Sequence, residues 1–117
     1  MPVHIEQLGP GFAGSINGLD LRNPLSEQEI IAVHEGMDKY AVLVFKRQSI
    51  TDAEQLQFSQ QLGTIEHAIG TSLREPKDFR LPSTFADVSN LDKDGKPFES
   101  DDRRRLFAIG NRLWHSD

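Results

Sequence analysis

A mixed α+β fold is what this sequence predicts. Three observations carry it: two capping patterns that open helices, one continuous apolar run rich in β-formers, and a tight-turn dipeptide in the second half of the chain. Ser26 with Glu29, and Thr51 with Glu54, each place a hydroxyl where it can cap the first free helical amides and a carboxylate three residues on, where it can reach back. Residues 40–45, from Tyr40 through Val42 and Val44 to Phe45, form an unbroken apolar stretch closed by Lys46 and Arg47, the pattern of a strand covered on both faces. Asp94-Gly95 leads into Lys96-Pro97-Phe98 and marks a two-residue hairpin turn.

In chain order, His4 falls in an expected flexible terminus, and residues 14–21 (GSINGLDL) predict a short strand with a bend at Gly18. The first helix is expected from the Ser26 cap to about Lys39, turning Ile30, Val33, His34 and Met37 inward. The strand at 40–45 follows, and then a second helix carrying Leu56, Phe58 and Leu62, terminated at Gly63. Strand, helix, strand, helix would by itself suggest a parallel α/β fold. The irregular, turn-rich second half argues against it. Residues 65–82 predict a surface loop, residues 84–98 a hairpin around Asp94-Gly95, and residues 100–105 a solvated connection of mixed charge. Residues 106–117 close the chain as a strand-like segment, with Trp114 expected in the core.

The 117 residues suit one domain with a modest core. A content of 37% hydrophobic and 26% charged residues is that of a folded, soluble chain. The net charge of -5 gives no broad cationic surface, so a nucleic-acid partner is not expected. With no cysteine, neither disulfides nor a thiolate zinc site can form, which suits a reducing cytoplasm, the expected location. The start MPVHIEQLGPGF is not a signal peptide, and no run approaches the roughly 18 apolar residues of a membrane span, so neither secretion nor a membrane partner is expected.

His115 and Asp117 form a His-x-Asp pair. In an extended strand, residues i and i+2 share a face, so an imidazole and a carboxylate could meet one ion while Ser116 points away. That is two thirds of the facial triad that holds non-haem iron(II). Asn111 lies two pleats before His115, so an uninterrupted strand brings its amide to the same face. On spacing alone such a pair is more often a solvated terminus than a metal site, and Asn111 equally fits a strand-end hydrogen bond.

Five segments in one order, GSINGLDL, AVLVFKRQSITDAEQ, QLGTIE, DVSNLDKDGKP and NRLWHSD, resemble the amino-terminal part of the taurine and 2,4-dichlorophenoxyacetate dioxygenase family. The last two look closest to its aryloxyalkanoate branch. The resemblance implies a double-stranded β-helix, or jelly roll, with flanking amino-terminal helices, truncated here. Residues 1–117 would then be the amino-terminal part of a single dioxygenase domain, inactive alone, with the distal histidine ligand and the 2-oxoglutarate-binding arginine beyond residue 117. It further implies that His115 and Asp117 are catalytic iron(II) ligands, with 2-oxoglutarate and O2 as cosubstrates. The implied activity is hydroxylation of a small organic acid, coupled to conversion of 2-oxoglutarate into succinate and CO2, in aromatic compound catabolism. With an aryloxyalkanoate such as 2,4-dichlorophenoxyacetate, hydroxylation beside the ether oxygen gives a hemiacetal that collapses to a phenol and an oxo acid.

The family's active-site asparagine at the same offset implies a substrate-facing role for Asn111, and its substrate-contacting loop implies one for His67. Lys96, on the hairpin, is a further candidate anchor for an acid. Taurine or other alkylsulfonates, sulfate esters, and a catalytically inactive jelly-roll binding module are the alternatives. A parallel α/β domain with an accidental pair is a minor third, and assembly into a homo-oligomer stays open.

Overall fold

The computed structural model describes residues 2–67 and 75–114. The chain divides into two compact units, Met1–Ile65 and Glu66–Asp117.

The first unit is a three-stranded sheet with two helices. Its elements are β1 (His4–Gln7), β2 (Gly14–Asn17), α1 (Glu27–Tyr40), β3 (Leu43–Val44) and α2 (Asp52–Leu62). The sheet order is β1-β2-β3. β1 runs antiparallel to β2 with Ile5 opposite Ile16, so His4 belongs to a strand and not to a loose terminus. β3 runs parallel to β2 with Gly14 opposite Leu43, a pairing that needs a crossover, here α1. β2 is central, which is why Gly14, Ser15 and Ile16 are all buried. Ile16, Leu19, Leu21 and Val33 form the core, with Ile5, Leu43, Phe45 and Phe58 among the side chains packed on it. The bend expected at Gly18 is present at φ +92, a left-handed conformation that suits glycine.

α1 opens as its sequence requires. Ser26 Oγ accepts from the Glu29 N–H at 3.2 Å, and Glu29 Oε2 accepts from the Ser26 N–H at 2.7 Å, a complete capping box. Ser26→Ala should lower stability by about 1 kcal/mol, measured as a shift in the denaturant midpoint at constant m.

The buried face differs from the expected one. Val33, Gly36 and Tyr40 point inward, while His34 and Met37 are exposed. Close approach decides this: a Cβ built on Gly36 would lie 2.6 Å from Ile5 Cδ1 and 3.1 Å from Leu43 Cδ1. The helix is seated on the sheet through its glycine, and hydrophobicity alone does not reveal that face.

The strand expected at 40–45 contracts to Leu43–Val44. Tyr40 completes α1, and Ala41 at φ 66 reverses the chain, its N–H donating to Met37 O at 2.9 Å. Nor is the segment covered on both faces, since Val42 is 45% and Val44 37% exposed. α2 starts and stops where expected, at a Thr51 cap and before Gly63. Thr51 Oγ1 accepts from the Glu54 N–H at 3.2 Å and donates to Glu54 Oε1 at 3.1 Å. Two glutamines tie these elements together. Gln48 accepts from the Leu21 N–H and donates to Leu19 O, each at 3.0 Å, and Gln61 Oε1 accepts from the Leu25 N–H at 2.8 Å.

In the second unit, a 3-10 turn (Pro76–Asp78) precedes the hairpin loop, and α3 (Arg103–Ala108) passes into a 3-10 turn, Ile109–Arg112. The Asp94-Gly95 turn is present with Gly95 at φ +78, but the hairpin around it is one bridge, Leu91 with Pro97, flanked by Asp92 N–H to Lys96 O and Phe98 N–H to Asn90 O, each 2.7 Å. Residues 84–90 form no strand.

Residues 100–112 depart furthest from expectation. Asp102 accepts from the Arg104 N–H at 2.9 Å and holds the Arg104 guanidinium at 2.8 Å, so the mixed charge run is a helix start and not a connection. Arg104 in turn covers the ring of the buried Phe98 at 4.3 Å. Residues 106–112 are therefore helical where a strand was expected. Only at Leu113, with φ -99 and ψ 145, does the backbone become extended. Trp114 is fully exposed and not core, because α3 buries no residue against which it could pack. No helix among the described residues is long and apolar enough to cross a membrane.

Candidate functional site

Among the described residues, no three His, Asp or Glu side chains converge as a metal site would require. The two expected donors, His115 and Asp117, lie outside the described residues. Their chemistry fits iron(II): an imidazole and a carboxylate are donors of the facial triad, one short of its full number. Asn111 sits in the 3-10 turn, so strand alternation does not bring it to the face of His115.

His67 is exposed, and its Nδ1 lies 2.7 Å from Ser83 Oγ. Ser83 lines an open concavity of about 550 Å³ with Pro76, Phe79, Arg80, Leu81 and Pro82. The Arg80 guanidinium meets Asp87 through two bonds of 3.0 Å, a bidentate pair that engages its charge. Lys96 is exposed on the hairpin, and its backbone N–H donates to Asp92 Oδ1 at 2.9 Å. That bond, with a second from the Asp94 N–H, holds the Asp92 carboxyl below the usual carboxylate range. The turn that carries Lys96 is thus fixed by an ionised Asp92. Among the described residues the structure joins His67 to Ser83, a partner that the sequence does not single out because a contact sixteen residues away leaves no periodicity.

The family model described as "Taurine catabolism dioxygenase TauD, TfdA family" matches residues 4–117. The chain belongs to the TauD/TfdA family. Within this family, it is 36% identical over 117 residues to an alpha-ketoglutarate-dependent 2,4-dichlorophenoxyacetate dioxygenase of Burkholderia sp. (strain RASC), covering 100% of this chain and 39% of that protein. It is 33% identical to a protein of the same description from Cupriavidus pinatubonensis, covering 100% of this chain and 40% of that one. A crystal structure of AAD-2 in complex with Mn(II) and N-oxalylglycine matches with a TM-score of 0.92 at 51% identity, over 100% of this chain and 40% of that one. The chain thus spans about two fifths of the length of these TauD/TfdA relatives. One parallel pair, β2 with β3, does exist, but membership of the family and the antiparallel β1–β2 pairing set aside a purely parallel α/β domain.

Proposed function

We propose that this chain is the amino-terminal part of an iron(II)- and 2-oxoglutarate-dependent dioxygenase domain that hydroxylates a small organic acid, with an aryloxyalkanoate such as 2,4-dichlorophenoxyacetate the favoured substrate. One observation carries this: identity of 36% along the whole chain to a dioxygenase named for that substrate and for alpha-ketoglutarate. The AAD-2 complex supports it, since N-oxalylglycine repeats the 2-oxoglutarate skeleton with an N–H in place of a methylene. The proposal includes the jelly roll, completed with the distal histidine and the arginine beyond residue 117, and a cytoplasmic location.

In this proposal His115 and Asp117 hold the iron, which with 2-oxoglutarate and O2 supplies the oxidising chemistry when bound. Asn111 offers an amide to orient substrate or cosubstrate, His67 a ring N–H to the acid group, and Lys96 a positive charge to the same anion. Their common task is to place one C–H of the substrate for reaction and to hold it there.

The test is succinate formation by the full-length, iron-loaded protein with 2,4-dichlorophenoxyacetate, taurine or an alkyl sulfate, against a control without acid. We expect the highest kcat/KM with the aryloxy acid, and the corresponding phenol in step with succinate. A larger kcat/KM with taurine or the sulfate ester would move the substrate assignment. No stimulation by any acid would favour a binding module.

A further inference from the structure

Of the four asparagines in the sequence, Asn17 alone precedes a glycine. At such a step the following amide nitrogen, once it has lost its proton, can attack the side-chain carbonyl carbon and close a succinimide ring. Glycine hinders this least, because no side chain shields its nitrogen. Asn23 precedes Pro24, whose nitrogen carries no hydrogen. Asn90 precedes Leu91, whose N–H donates to Ser89 Oγ at 3.2 Å.

The fold leaves the Asn17-Gly18 step open. Asn17 is the exposed last residue of β2, after three buried ones. β3 pairs with Gly14 and Ser15, so beyond Ser15 β2 has β1 alone beside it among the described residues. Gly18, at φ +92, turns out of the ladder, and among the described residues no hydrogen bond engages its N–H. Asp94-Gly95 makes the contrast, since an aspartate before glycine can close the same ring. There the nucleophile is held, the Gly95 N–H donating to Asp92 O at 3.0 Å. That bond must open before the amide can react.

We propose that Asn17 is a site of spontaneous deamidation, the Gly18 nitrogen bonding to Asn17 Cγ as the Cγ–Nδ2 bond breaks. The proton from the Gly18 N–H leaves with the departing nitrogen as ammonia. Water then opens one C–N bond of the ring, giving an aspartate if it adds at Cγ and an isoaspartate if it adds at the backbone carbonyl carbon. Amide and water become acid and ammonia, with no oxidant or cofactor. The isoaspartate lengthens the main chain by one carbon between Ile16 and Gly18. β2 has no room for it: Asn17 is in register with His4, and a Cβ on Gly18 would already lie 2.9 Å from Pro2 O. The modification therefore loosens the end of β1 from β2, and either product adds a negative charge to a chain already at -5.

The test follows the full-length protein over days in neutral buffer, native and guanidinium-denatured samples side by side. Peptide mass spectrometry reads acid in place of amide at position 17, and an isoaspartyl methyltransferase reads isoaspartate at 17 and 94. Native Asn17 should react within about threefold of its own rate in the denatured chain, as an unprotected amide would. Native Asp94 should be slowed about tenfold or more against its denatured rate, the cost of one hydrogen bond. The β1 amides of the modified protein should exchange faster than those of fresh protein. Asn17→Gln, whose longer side chain must close a larger ring, should remove the product and keep β1 protected. Native Asn17 slowed as much as Asp94 overturns the proposal, since the fold then shields the step. So does isoaspartate at position 17 with β1 exchange unchanged.

Discussion

Alanine at His115 or Asp117 in the full-length protein is expected to abolish succinate formation and to weaken iron binding, with the thermal melt nearly unchanged. Each side chain would supply one of only three protein donors, so its loss leaves a two-donor site. The rate should fall by more than the roughly 10–100-fold that follows removal of a residue merely supporting a ligand. Stability should hold, because residues that face an open metal site contribute little to a core. Metal titration and single-turnover decay of 2-oxoglutarate measure the two effects separately. Native-like iron affinity and turnover in either variant would remove that residue from the ligand set. Asn111→Ala should behave differently, keeping the metal and losing rate through misplaced reactants. Unchanged kinetics there would leave Asn111 a structural role only.

Gly36→Val should be among the most destabilising single changes in the first unit, at about 3 kcal/mol. In an exposed helix interior, replacing glycine stabilises by up to about 1 kcal/mol, so the expected sign is reversed. The reason is contact: the first added carbon already falls 2.6 Å from Ile5 Cδ1 and 3.1 Å from Leu43 Cδ1, and valine adds two methyl groups to that crowding. α1 must then lift from the sheet or expel both side chains. Gly36→Ala should cost less, because its single methyl meets the flexible end of Ile5. Gly63→Ala is the control, since nothing lies within 4 Å of its Cβ position. Denaturant melts of the three variants give the order, and a Gly36→Val protein as stable as wild type would show that the helix is not seated on Ile5 and Leu43.

What the sequence discloses here is chemistry confined to a few neighbouring residues. The Ser26 box, the Thr51 cap, the Gly18 bend and the Asp94-Gly95 turn are each made by side chains or backbone within about four positions, and each is where expected. Elements decided by distant contacts were not legible. Gly36 has no side chain to announce an inward face, and Ala41 gave no sign of the positive φ that shortens β3. Asp102 was hidden as a cap because its neighbours carry charge of both signs. Leu106, Phe107 and Trp114 suggested a buried strand by their apolar character, yet all three are exposed. At the candidate site, the His115 and Asp117 pair was legible as donor types and the family as an ordered set of segments. The Ser83 partner of His67 was not, since serine in a loop carries no signal until the fold supplies its neighbour.

The two glutamine bridges constrain how this polypeptide can be made. Gln48 serves Leu21 across 27 positions and Gln61 serves Leu25 across 36, so the connector between β2 and α1 cannot complete its hydrogen bonds until α2 has been synthesised. A ribosome delivers residues in order, at roughly 5–20 per second. For the seconds between the emergence of Leu21 and that of Gln61, the nascent amino terminus has β1 and β2, gains its parallel partner strand part-way, and lacks a complete second helix throughout. Closure then becomes possible at once, because these bridges and the sheet pairings all lie within Met1–Ile65. A pulse-labelled chain stalled just after Gln61 has cleared the exit tunnel should resist protease in this unit, whereas one stalled before α2 should be cut between β2 and α1.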